Sequence, residues 1–179
     1  MIVKGLHSGL RRLAAVVICA LLLSPILCLA KGSTAQLLFK IDQSESANFV
    51  QYDAQLEPSG TLDRAEPVVV YWIMRAEDGR REGLNFLETN LAYGFKTSWD
   101  TDGDGVFMRL VSYPQKQLRV FRVNGSYRVE TLINGRLAFL KRIYVKSVNG
   151  RMLPKVEYLE LYGNEITTGG SVYEKVAPQ

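Results

Sequence analysis

The sequence predicts a mainly β, antiparallel domain, and three observations carry that prediction. Asn-Gly pairs recur at Asn124-Gly125, Asn134-Gly135 and Asn149-Gly150, and this dipeptide readily supplies the positive φ that both central residues of a type I′ hairpin turn need. Around these pairs run residues 117–123, 126–133, 136–148 and 155–162, all rich in Val, Ile, Leu, Phe and Tyr, the residues that fit a pleated, half-buried surface. Within 126–133, Tyr127, Val129, Thr131 and Ile133 fall on one face and Arg128, Glu130 and Leu132 on the other, as expected of a strand with one face buried.

Taken from the N-terminus, residues 1–30 read as a cleavable signal peptide. Lys4, Arg11 and Arg12 provide a positive end, residues 13–23 an apolar run, Ser24-Pro25 a helix break, and Cys28-Leu29-Ala30 small residues where a peptidase cleaves. The break opposes a retained anchor, because a bilayer span needs about 20 apolar residues. Ile18 before Cys19 and Leu27 before Cys28 do not suit lipid attachment. The expected product is one domain, residues 31–179, in the periplasm of a Gram-negative bacterium or secreted beyond it, with no membrane span.

Residues 37–41, 49–56 and 67–74 read as the first strands. The stretch 68–74 is so continuously apolar that it is expected centrally in the sheet, covered on both faces. Leu84, Leu87 and Leu91 follow spacings of three and four, and Gly94 closes the run, which predicts a short helix over residues 84–92 docked on the sheet. The meander follows. Residues 31–35 and the tail beyond Tyr173 are expected to be disordered. The count is about nine or ten strands of the common length, connected by short turns. That favours a closed or nearly closed antiparallel barrel, a meander of the lipocalin or calycin kind, with a β-sandwich as the alternative and one short helix in either.

Loss of the leader removes His7, Cys19 and Cys28, so the mature chain has neither histidine nor cysteine. Disulfides, thiolate nucleophiles, Ser-His-Asp triads and histidine metal ligands are excluded. Lys4, Arg11 and Arg12 leave as well, lowering the formal charge from +4 to +1, which removes the basic footprint that nucleic-acid binding requires.

Asp100-Thr101-Asp102-Gly103-Asp104-Gly105 matches the first half of a calcium loop, with Asp100, Asp102 and Asp104 as the metal candidates. Position 12 is Val111 where a bidentate glutamate belongs, so a solvated Asp/Gly turn is the competing reading. Ala47-Asn48, Tyr52-Asp53, Pro67 with Tyr71-Trp72-Ile73, Ala92-Tyr93-Gly94-Phe95, Ile143-Tyr144-Val145-Lys146-Ser147 and Leu153-Pro154-Lys155-Val156-Glu157-Tyr158 together resemble the bacterial domain of unknown function 4833 family. The resemblance covers nearly all of the mature chain and implies one intact exported domain, with no catalytic residues to carry over.

No catalytic set assembles. Glu157 and Glu160 lie three apart and diverge on a strand, as do the adjacent Lys146 and Ser147. The expectation is therefore non-catalytic binding, of a small apolar or amphiphilic molecule inside the sheet or of an envelope protein. Asn48, Tyr52, Asp53, Tyr71, Trp72, Tyr93, Tyr144 and Lys146 are the candidate ligand-binding residues. One alternative is a hydrolase of cell-envelope material using Asp53 and Glu157. Another is a calcium-stabilised structural protein. Lys141, Arg142 and Lys146 are expected to pair with Glu157 and Glu160 across strands.

Overall fold

The structure is a computed structural model and describes residues 34–148 and 155–177. The leader, with His7, Cys19 and Cys28, and the turn at Asn149-Gly150 lie outside the described residues.

Eleven strands form one sheet. They are β1 (Thr34–Gln43), β2 (Ser46–Leu56), β3 (Val68–Ile73), β4 (Arg81–Glu82), β5 (Phe95–Trp99) and β6 (Val106–Leu110), then β7 (Tyr113–Val123), β8 (Ser126–Ile133), β9 (Arg136–Val148), β10 (Lys155–Glu165) and β11 (Ser171–Val176). The hairpins β7–β8 and β8–β9 turn where the sequence places them, with φ of 50° at Asn124, 82° at Gly125, 50° at Asn134 and 73° at Gly135.

β9 organises the sheet. One of its edges pairs with β10, from Lys155↔Val148 to Glu165↔Ala138. Its other edge is shared: the N-terminal part pairs antiparallel with β8, from Glu130↔Phe139 to Ile133↔Arg136, and the C-terminal part pairs parallel with β1, from Lys40↔Arg142 to Gln43↔Val145. The register against β10 shifts in this same region, between Tyr162 and Gly163. A Cβ on Gly163 would lie 2.5 Å from the Phe139 carbonyl oxygen and 2.8 Å from Ile133 Cδ1, so only glycine admits the approach. Two branches therefore leave one edge of β9: β8-β7-β6-β5 and β1-β2-β3-β4.

Side chains from both branches build one contiguous core, in which Phe39, Val50 and Tyr52 join Met108, Leu118, Val120 and Val129. Burial in β8 alternates residue by residue, with Tyr127, Val129, Thr131 and Ile133 buried, as predicted.

Several expectations are corrected. The sheet does not close into a barrel, and its β1–β9 pair is parallel. β3 lies next to the last strand of its branch, beside the two-residue β4, so residues 68–74 are not central. Their continuous apolarity serves two different faces: Val70 and Trp72 pack on the core, while Tyr71 is covered from outside by the Arg81 guanidinium, 4.5 Å above its ring.

The helix is shorter than expected, a π-helical turn at Glu88–Ala92 with no buried residue. It opens on reciprocal bonds between Asn85 and Glu88, each side chain accepting the other's backbone N–H, at 2.9 and 2.8 Å. The Tyr93 N–H then bonds the Glu88 carbonyl five residues back. That step breaks the 3.6-residue period on which a common leucine face depends. Leu84 touches the core, but Leu87 and Leu91 are 57% and 61% exposed. The C-terminal tail also departs from expectation. β11 runs on past Tyr173 and pairs through Leu159↔Val176, and β1 begins at Thr34.

Candidate functional site

Strand register divides the sequence-predicted site between two faces, because adjacent residues on a strand point in opposite directions. Tyr52 and Trp72 point inward. The Tyr52 ring stacks on Phe39 with centroids 4.3 Å apart and planes 8° apart, and it is fully buried. Its hydroxyl donates to the Tyr93 carbonyl at 2.5 Å. Burial raises the Tyr52 pKa, and the neighbouring Tyr93 adds to the effect. Trp72 meets Tyr93 edge-on at 5.3 Å, and the Tyr93 hydroxyl accepts from the Gln43 side-chain amide. Burial, assisted by Glu88, pushes Tyr93 up to about 12. These three residues come together in and against the core, and the two tyrosine hydroxyls are satisfied within the protein, as buried tyrosines require.

Asp53 and Tyr71 belong to the outer face. Asp53 is 2% exposed, yet both its oxygens are engaged: Tyr71 Oη donates to Oδ2, and Gln51 Nε2 donates to Oδ1 at 2.8 Å. Gln51 Nε2 also donates to Tyr71 Oη, at 3.0 Å. Burial first and the Asp53 carboxylate second push Tyr71 up to about 12. The cluster is closed, which is why a carboxylate tolerates burial there.

Beyond this cluster the outer face continues across six strands in two rows fixed by the pairings. One row runs Tyr71, Gln51, Lys40, Arg142, Tyr162, Tyr173; the next runs Ile73, Phe49, Asp42, Tyr144, Glu160, Lys175. Cations cover several of the rings. Arg142 lies 4.2 Å from the Tyr162 centroid, Lys175 3.6 Å from that of Tyr158, and Lys40 5.0 Å from that of Phe49. Glu160 accepts from Tyr162 Oη at 2.6 Å and Tyr173 Oη at 3.0 Å; these bonds, the one from Tyr162 foremost, hold its carboxyl below its usual range. Tyr162 and Tyr173 escaped the sequence reading. The signal was present in the two-residue repeat Tyr158, Glu160, Tyr162 of β10.

The remaining candidates separate. Asn48 Oδ1 accepts the Ala76 N–H at 2.8 Å and so ties β2 to the turn after β3. Tyr144 stands in the outer row opposite Glu160, and Lys146 Nζ lies 4.0 Å from Glu45. Arg142 pairs with Asp42 at 3.5 Å. The expected cross-strand partners Glu157 and Glu160 are thus replaced by acids of β1 and the β1–β2 turn, because β9 is flanked by β1 as well as β10. Asp53 is buried in its cluster whereas Glu157 is exposed beside a register shift in β10, and neither lines either of the clefts described below.

The Asp100–Gly105 segment is a tight β5–β6 turn. Asp100 Oδ1 accepts the Gly105 N–H at 3.3 Å, and Oδ2 lies 3.3 Å from Arg119. Among the described residues no group of three or more His, Cys, Asp or Glu side chains is placed to hold a metal ion. Nor is any helix there long and apolar enough to cross a membrane. Clefts open at the surface of the described residues, two of them beside the β5–β6 hairpin. One, of about 730 Å³, lies over β5 to β7 and touches the core at Leu110; the other, of about 440 Å³, lies by the Asp100 turn and touches it at Leu62 and Tyr127.

Residues 39–175 match the family model described as Domain of unknown function (DUF4833), and the chain belongs to that family. Neither the curated proteins nor the solved structures yield a match.

Proposed function

We propose that this DUF4833 domain is an exported, non-catalytic binding protein of the cell envelope, periplasmic or secreted, which meets a protein partner through the outer face of β3-β2-β1-β9-β10-β11. The observation that carries the reading is the pair of six-strand rows, where Tyr144, Tyr162 and Tyr173 alternate with Lys40, Arg142 and Lys175. Tyrosine and arginine are the residue types over-represented at protein interfaces, since each offers apolar area and a polar end at one position. On this reading the two branches are the layers of a sandwich-like arrangement. The space between them is taken by the core side chains, which favours a surface partner over a small apolar ligand held inside. The basic, apolar and small-residue order of residues 1–30 supports export.

The test is a photo-crosslinking amino acid placed at Tyr158 or Tyr173 in the full chain, expressed in its native envelope, with Lys96 as an exposed control. Adducts to a discrete protein from the two tyrosine positions and none from Lys96 are expected. Equal labelling from all three positions, or recovery of the chain in the cytoplasm with residues 1–30 attached, overturns the reading.

A further inference from the structure

We infer that the cleft beside the Asp100 turn is a binding site for a small zwitterion, a molecule carrying an ammonium together with a carboxylate or phosphate. The site is separate from the outer face discussed above and does not depend on it. The β5–β6 turn forms one side with Asp102 and Asp104, the β2–β3 connection contributes Leu62 and Arg64, and β7 and β8 contribute Arg119, Phe121, Arg122 and Tyr127.

The charges of the cleft fall into two classes. Arg119 and Asp100 neutralise each other at 3.3 Å. Among the described residues, Arg64 and Arg122 make no ion pair with a carboxylate, and Asp102 and Asp104 make none with a cation. Two guanidinium groups and two carboxylates therefore face one concavity without neutralising one another. A simple anion would be drawn to the arginines and repelled by the aspartates, and a simple cation the reverse. A molecule with both charges satisfies both sets, the condition for electrostatic complementarity.

Features of the walls support a formed site. The Arg64 guanidinium is stacked 4.2 Å above the Trp99 ring and lies against Gly103, where a Cβ would come within 3.5 Å of it. The stack biases the guanidinium toward this position by about 0.5–1 kcal/mol, which lowers the ordering cost of binding by a similar amount. Arg119 is held 4.9 Å from the Phe121 centroid and 3.3 Å from Asp100, which fixes the wall between the two charge sets.

The experiment is a titration of the full chain followed by the indole N–H resonance of Trp99, assigned with Trp99→Phe. The probes are alanyl-alanine, its N-acetyl form with the anion only, its C-terminal amide with the cation only, and phosphoethanolamine. Saturable shifts are expected with alanyl-alanine, with phosphoethanolamine or with both, and which of them saturates identifies the acid group. The two singly charged forms should bind about tenfold more weakly or worse, since each leaves one charge set unpaired. Arg122→Gln and Asp104→Asn, each exposed and each expected to keep the parent melting temperature, should weaken binding of the saturating zwitterion by about the same factor. Equal responses to charged and half-charged probes, unsaturable shifts from all four, or unchanged binding in both variants would overturn the inference.

Discussion

The two faces of β3, β2, β1, β9, β10 and β11 hold aromatic residues of the same kind under opposite conditions. On the inner face Tyr52 is stacked on Phe39 and spends its hydroxyl on a backbone carbonyl. On the outer face Tyr162 sits under a guanidinium and spends its hydroxyl on Glu160, beside Tyr173, which is 44% exposed. The residue type is the same, so the role comes from what covers the ring and what receives the proton. An inner tyrosine is a core residue with its polar end tied off. Tyr162 and Tyr173 instead keep part of their ring surface open to solvent, and a cation over such an exposed ring is held by only about 0.5–1 kcal/mol.

Truncation separates the two faces most strongly. Tyr52→Ala removes a fully buried aromatic and should cost about 3–5 kcal/mol in denaturant unfolding, whereas Tyr162→Ala should stay within about 1 kcal/mol of the parent. Comparable losses would erase the distinction.

Alkaline titration sharpens it without changing a residue. Tyr71 and Tyr93 have folded pKa values raised from 10.0 to about 12, so the stability they contribute is complete below pH 10 and is lost as pH rises toward 12. Tyrosinate absorbance should show a late fraction that ionises together with loss of the circular dichroism signal. Asp53→Asn removes a charge that helps to raise Tyr71 and should move part of that fraction to lower pH. A single transition centred at the ordinary tyrosine value, with no coupling to unfolding, would contradict the closed Gln51, Asp53 and Tyr71 cluster.

The smallest effect is expected at Glu160. Its folded pKa lies below the usual value, so its contribution is present above that value and is lost as pH falls through the folded pKa. Glu160→Gln should change stability at neutral pH by no more than about 0.5 kcal/mol, as for other solvated surface groups. A large loss measured by thermal melting would place Glu160 among the groups that hold the fold together.

Much of the fold was legible in local pattern. The Asn-Gly turns and the alternation in β8 are properties of neighbouring residues, and each appears where the sequence puts it. The leucines at 84, 87 and 91 misled because their spacing is informative only if the helix keeps its ordinary period, and the Tyr93 to Glu88 bond changes that period. The candidate site was legible as a list of residue types and not as a site. Tyr52 and Asp53, or Tyr71 and Trp72, adjoin in sequence and for that reason stand on opposite faces. Arg64, Trp99 and Arg122 meet at one cleft from three separated segments, and no local signal joins them.

The sequence by itself determined that this is a β protein, where two of its hairpins turn, which residues of β8 face the core, and which family it belongs to. The first three follow from dihedral preference and two-residue periodicity, which act over a few residues, and the family from a match that runs over residues 39–175. Only the tertiary structure decided that β9 is shared by β8 and β1, that the sheet stays open, and that charges from distant segments gather at one cleft. Strand pairing is a contest among many edges of similar hydrogen-bonding capacity. Its outcome depends on how side chains 90 residues apart, such as Phe39 and Val129, fill one core.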